Sequence, residues 1–174
     1  MKPGRIRWVL FLGLLMGFLP SASALLITLG SDPVLSISDE TGSFTLVFSD
    51  FAKGTISSMQ SVTYRVQANN MAAGTVQAAV SAKLEQLFDG IDLEADVDNY
   101  ENVGEKTFAS LQEAQSGSRA IEMTSTALAD KMPGTGSDDS NLDGNLTVTW
   151  RARLTADAAA GQGSRFLVVT LKES

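Results

Sequence analysis

Asp139, Asn141 and Asp143 place side-chain oxygens at every second position of a six-residue run that ends on Gly144. That spacing matches the opening of an EF-hand calcium loop, where the sixth residue is glycine to permit a sharp turn. The twelfth position, where a bidentate glutamate belongs, is Trp150, and the residues after Gly144 alternate as a strand instead of forming the exiting helix. An EF-hand is therefore excluded. Two readings stay open: a calcium-binding β-loop on Asp139, Asn141 and Asp143, or a polar turn built from residues that tolerate unusual backbone angles.

A second acidic feature is Asp92, Glu94, Asp96 and Asp98, four carboxylates on alternate positions of one apolar segment. On a strand they share one face at spacings of about 7 Å. Such a ladder can bind cations or meet a basic surface; equally, it is a solvated face whose like charges discourage edge-to-edge pairing.

Covalent and acid-base chemistry is narrowed by what the chain lacks. It contains no histidine and no cysteine, which removes a Ser-His-Asp triad, a thiol nucleophile and an ordinary zinc site. There is no Gly-x-Ser-x-Gly elbow and no Ser-x-x-Lys pair. Two carboxylates at a set separation suffice to hydrolyse a glycoside, but nothing singles out such a pair. The expectation is a protein that is not an enzyme. Asn145-Leu146-Thr147 is a formal glycosylation sequon, relevant only in a host that uses it.

The elements that would position these side chains are strands. Phe44, Leu46 and Phe48 share one face of a segment; Val62, Tyr64, Val66 and Ala68 do so in the next, with Thr63, Arg65 and Gln67 opposite. The alternation returns at Val76, Ala78, Val80, Ala82 and Leu84, at Ile91, Leu93, Ala95 and Val97, and at Val148, Trp150, Ala152 and Leu154. One face on a core and one in water is the habit of antiparallel sheets. Residues 165–172 are apolar on both faces and read as a central strand; residues 125–131 read as a short helical turn. Turn signals fall between the runs, at Asn69-Asn70, Gly74, Asp89-Gly90, residues 102–104, Ser116-Gly117, residues 133–136, Asp143-Gly144 and residues 161–163. Many short strands with regular turns predict an all-β fold, an immunoglobulin-like antiparallel β-sandwich in a single domain.

One internal echo stands out. Val62-Thr63-Tyr64-Arg65 reappears as Val148-Thr149-Trp150-Arg151, and each copy leads to Ala-Ala-Gly, at 72–74 and 159–161. Both copies read as hairpins with an aromatic inward and an arginine outward.

The N-terminus reads as an export signal. Lys2, Arg5 and Arg7 form a positive region, residues 8–19 an apolar core, and Ala22-Ser23-Ala24 a small-x-small cleavage site. About twelve apolar residues are too few to span a bilayer, which takes about twenty. The expected organisation is a signal peptide at 1–24, an N-terminal segment at 25–38 and a sandwich domain at 39–174, secreted to the extracellular space or cell surface with no membrane span. The signal takes three of the thirteen basic residues and none of the twenty acidic ones, leaving a net charge of about −10. Such a surface repels phosphate backbones, so nucleic acid is not an expected partner. A secreted domain of this size often carries a disulfide; without cysteine, stability outside the cell rests on packing, ions or assembly.

Assembly is where the N-terminal segment becomes informative. Leu25, Ile27 and Leu29 alternate on one face, followed by the breaker Ser31-Asp32-Pro33. An apolar terminal strand either folds back into its own domain or adds to a neighbour's sheet by β-augmentation. In the second case subunits join head to tail, and a contact that does not close gives a filament.

The apolar segment 25–29, the strand 62–70 and the closing pattern at 146–154, 158–161 and 166–171 together resemble the secreted β-sandwich subunits of bacterial and archaeal fimbriae and matrix fibres that polymerise by donor-strand complementation. The resemblance implies a prokaryotic surface fibre, an immunoglobulin-like fold, and a donor strand inserted into the groove of the next subunit. The absence of cysteine separates the chain from disulfide-bearing chaperone-usher pilins, and no long N-terminal helix of the type IV pilin kind is present. The expected function is thus the structural subunit of a pilus or biofilm matrix fibre. It polymerises with itself through Leu25, Ile27 and Leu29 and needs no cofactor. The rival expectation is a monomeric secreted adhesin or carbohydrate-binding module, calcium-stabilised through Asp139, Asn141 and Asp143.

Overall fold

A computed structural model describes residues 35–39, 43–159 and 161–172. Among the described residues, nine strands build two antiparallel sheets. The first holds β1 (Leu35–Asp39), β2 (Gln60–Ala68), β8 (Leu142–Leu154), β4 (Ile91–Asn102) and β6 (Arg119–Ile121), in the spatial order β1-β2-β8-β4-β6. The second holds β5 (Ser110–Glu113), β7 (Thr126–Met132), β3 (Val76–Leu84) and β9 (Leu167–Leu171), in the order β5-β7-β3-β9. The fold is an all-β sandwich. Because β1 pairs Leu35 with Ala68 and Asp39 with Tyr64, the sandwich takes in residues 35–38, which the sequence reading placed in a separate N-terminal segment.

The long central strand β8 shows how the pattern becomes a core. Every second residue from Leu142 to Leu154 is buried, and Trp150, Leu146 and Val148 share one core cluster with Val62, Val66, Val80 and Leu128. Each large aliphatic side chain fully removed from water contributes about 1.5 to 3 kcal/mol. Phe44 stacks on Trp150 with ring centroids 5.8 Å apart. The alternation of Phe44, Leu46 and Phe48 is therefore structural, although residues 43–48 belong to no sheet; Val47 instead exchanges bonds with Ser58, its N–H donating to Ser58 Oγ and its carbonyl accepting from Ser58 N–H.

Four expectations are corrected. Residues 126–132 form strand β7 and not a helical turn: β5 and β3 bond it on both sides and bury Leu128, Ala129 and Lys131, so sheet pairing overrides local helix propensity. β9 is an edge strand, not a central one, since only β3 pairs with it. Asp143-Gly144 lies inside β8 and is no turn. The two echoed segments are not hairpins, because β2 leads into β3 and β8 into β9 by crossing from one sheet to the other. They pair with each other, Val62 opposite Val148, with Tyr64 and Trp150 both buried.

Two irregularities matter. In β4 the register shifts between Val97 and Asn99, so the inward series Leu93, Ala95, Val97 continues at Tyr100, opposite Leu146. An extra residue in one strand is what moves such a series from odd to even positions. In β3 the register shifts around Ala78, whose φ of 52° is left-handed and whose N–H donates to Asp130 Oδ1 at 2.7 Å. An L side chain there costs about 1 kcal/mol. Ala78→Gly is expected to raise stability by about 0.5 to 1 kcal/mol in chemical denaturation; a lower midpoint would show that the methyl group's packing outweighs the strain.

Candidate functional site

The acidic run at 139–143 begins in a 3-10 turn, Gly136–Ser140, and ends in β8. Asp139 reaches across to the β2–β3 turn: Oδ2 accepts the N–H of Gly74 at 2.6 Å, and Oδ1 lies 3.3 Å from Lys131 Nζ. Lys131 has no exposed surface, and its ammonium also donates to the carbonyls of Ala72, at 3.0 Å, and Gly74, at 2.7 Å. Three oxygens thus surround a protein cation. The backbone hydrogen bond from Gly74 works with that ammonium, against burial, to hold the Asp139 carboxyl below its ordinary value.

Asp143 faces a different cation. Its carboxylate pairs with Arg65 and accepts Gln67 Nε2 at 3.2 Å, while its carbonyl accepts the N–H groups of Val103 and Gly104. Asn141 ties the loop through its main chain, its carbonyl accepting from Ala109 and its N–H donating to Asp138. Among the described residues no cluster of three or more histidine, cysteine or acidic side chains is placed to hold a metal ion. Adding calcium or a chelator is accordingly expected to leave the thermal midpoint within about 1 °C, under the shift of about 2 to 4 °C that about 1 kcal/mol produces in a domain near this size. A calcium-dependent rise of about 5 °C or more would restore the calcium loop.

The acidic strand β4 meets a basic one. Glu94 lies opposite Arg151 and Asp92 opposite Arg153 on β8; Glu94 accepts Arg151 Nε at 2.6 Å and Arg153 Nε at 2.7 Å. Burial pushes the Glu94 carboxyl up, but the bonds and charges of Arg153 and Arg151 prevail and hold it below the ordinary value. The hydroxyl of Thr149 donates to Asp98 at 2.5 Å, and Ser61 pairs with Thr149, Thr63 with Thr147. This outer face is a closed polar ladder of cross-strand pairs. Glu94 and Asp139 are ionised acceptors at neutral pH, whereas a general acid needs a raised pKa. The alternate arginines Arg151 and Arg153 were the sequence signal for this match.

No family model, curated protein or solved structure matches the chain. What the molecule can do rests on its own surfaces. Residues 1–24, expected to be a signal peptide, and Leu25, Ile27 and Leu29, expected to be a donor strand, lie outside the described residues. Among the described residues no helix is long and apolar enough to cross a membrane.

Among the described residues the sheet edges are β1 and β6 in the first sheet and β5 and β9 in the second. β6 has three residues, and Arg119 at its start is drawn onto the carbonyl of Ala127 and the carboxylate of Glu113. β5 has four, ending on that same Glu113, and Ala109 beside it bridges to Leu142. β9 offers five uncharged residues, Leu-Val-Val-Thr-Leu. Lys172 N–H donates to the carbonyl of Ala79, and Phe166 carbonyl accepts from Glu85. Peptide groups of alternate residues point to the same side of a strand, so those of Val168 and Thr170 also face β3, while those of Leu167, Val169 and Leu171 face outward. No described strand bonds to that outward side. Phe166, just before the strand, is 70 % exposed, and Leu87 near it is 48 % exposed. Arg165 ties the two segments, donating from Nε to the carbonyl of Leu87 and lying over the ring of Phe88.

Proposed function

We propose that the protein is an extracellular structural subunit that polymerises with itself by strand exchange, a fibre protein with an immunoglobulin-like sandwich exported by its N-terminal signal. The observation that carries this reading is the uncharged edge of β9, unpaired on one side among the described residues, in a chain that also has an apolar N-terminal segment. Natural sheets blunt their edges with lysine, proline, bulges or short strands, and the five residues of β9 contain no lysine and no proline. An edge left in this state suits a strand from outside, whose main-chain hydrogen bonds give affinity and whose alternate side chains fix register. The cross-strand pairs on the outer face of β2, β8 and β4 support a scaffold role, since Arg151 and Arg153 engage Glu94 and Thr149 engages Asp98.

Ile27→Asp tests the donor. The charge is expected to abolish polymer while the sandwich still folds, as read by sedimentation and by the strand signature in circular dichroism. Polymer of normal length from that variant would remove the donor assignment.

A further inference from the structure

We infer that the incoming strand docks on the outward edge of β9, and that its occupant is residues 25–29 of a second copy, with Leu25, Ile27 and Leu29 on the core side and Leu26 beside Phe166. This rests on the strand-exchange reading and adds where the strand sits. The edge and the segment match in three respects. Both are five residues long and uncharged. The edge presents the N–H and C=O of Leu167, Val169 and Leu171, the alternate set that an added strand pairs with. The side chains of the edge also divide correctly: Val169 and Leu171 are buried in the core, which Leu25, Ile27 and Leu29 would extend, while Phe166 stands exposed on the other side, where Leu26 and Thr28 would fall by alternation. Of the other described edges, β1 is as long but ends on the charged Asp39, while β5 and β6 have only four and three residues and carry Glu113 and Arg119.

The test uses the full chain. Leu167→Pro removes one outward N–H at the first residue of β9, a place where proline spares the ladder to β3. Phe166→Glu charges the outer side of the edge without altering the backbone. Each is expected to give at least about tenfold less polymer at equal concentration, the effect of losing about one good contact. Ile27→Asp keeps its acceptor and Leu167→Pro keeps its donor, so mixing them is expected to yield a two-subunit complex in sedimentation and no filaments. Normal polymer from both Leu167→Pro and Phe166→Glu, with Ile27→Asp monomeric, would overturn the β9 assignment and leave strand exchange standing. Polymer from all variants, or monomers from the unmodified chain as well, would overturn strand exchange itself. A parent chain that stops at a closed dimer, lost in the β9 variants, would uphold the docking edge and overturn the fibre. Should Leu167→Pro lose the strand signature, Phe166→Glu decides the matter.

Discussion

Replacing Lys131 by methionine is expected to destabilise the domain by about 1 to 3 kcal/mol, the usual cost of leaving buried acceptors without their donor. Methionine keeps most of the volume, so the loss is that of the ammonium and not of packing. The carbonyls of Ala72 and Gly74 and the carboxylate of Asp139 would lose their common donor, and with it the tie between the β2–β3 turn and the turn before β8. The midpoint of urea unfolding reads the effect; a change below about 1 kcal/mol would mean that water replaces the ammonium without penalty.

The same latch sets an acid limit. The Asp139 carboxyl titrates below its ordinary value of 3.8 in the folded state, so its contribution is fully present above that value and is lost as pH falls through the folded value. Glu94 is depressed in the same direction by its two arginines. Stability should therefore fall in acid below about pH 4, and the gap between the parent and the Lys131→Met variant should narrow there, because a protonated Asp139 no longer supports the buried charge. A gap that stays constant down to pH 2 would show that Asp139 contributes nothing to the latch.

Gly144→Ala is the second large effect, about 2 to 3 kcal/mol, the range for forcing an atom into packed space. A Cβ built there would clash with Cζ and the hydroxyl oxygen of Tyr100 and lie 2.6 Å from the carbonyl oxygen of Glu101. Tyr100 is held over the glycine: burial first, then the charge of Asp143, push its hydroxyl up to about 12, with Arg65 opposing. In the Tyr100→Ala background the cost of Gly144→Ala should shrink but persist, since the Glu101 carbonyl remains. Full additivity of the two substitutions would contradict the contact.

That glycine also shows where sequence reading stopped. Gly144 fits the sixth position of a calcium loop, and its real constraint, a tyrosine more than forty residues away in sequence, leaves no local trace. The strands β2, β3, β4 and β8 were legible because each buries one face, and burial writes a period of two into the chain. β7 was not, because Thr-Ala-Leu-Ala-Asp-Lys-Met carries helix-forming residues and only its partners β3 and β5 make it a strand. β9 looked central because both its faces are apolar; one face is core and the other borders the open side. Of the acidic residues, the alternation of Asp92, Glu94, Asp96 and Asp98 was visible, but the pairing of Glu94 with Arg151 and Arg153 depends on the β4–β8 register. Lys131 has no periodic signature at all, since a lysine on the buried face of a strand is recognised only once its oxygen partners are in place.

These pieces give one account of the molecule. Packing and internal ion pairs hold a domain that has no cysteine, Lys131 and Arg65 engage the loop carboxylates of Asp139 and Asp143, and the edge of β9 that no described strand pairs is the proposed place of assembly.

Electron microscopy of the chain beginning at Leu25, beside one lacking residues 25–31, tests this account most directly. Filaments from the longer chain and monomers from the shorter are the predicted result. Monomers from both would contradict it, and would make residues 25–31 part of the subunit's own fold or irrelevant to assembly.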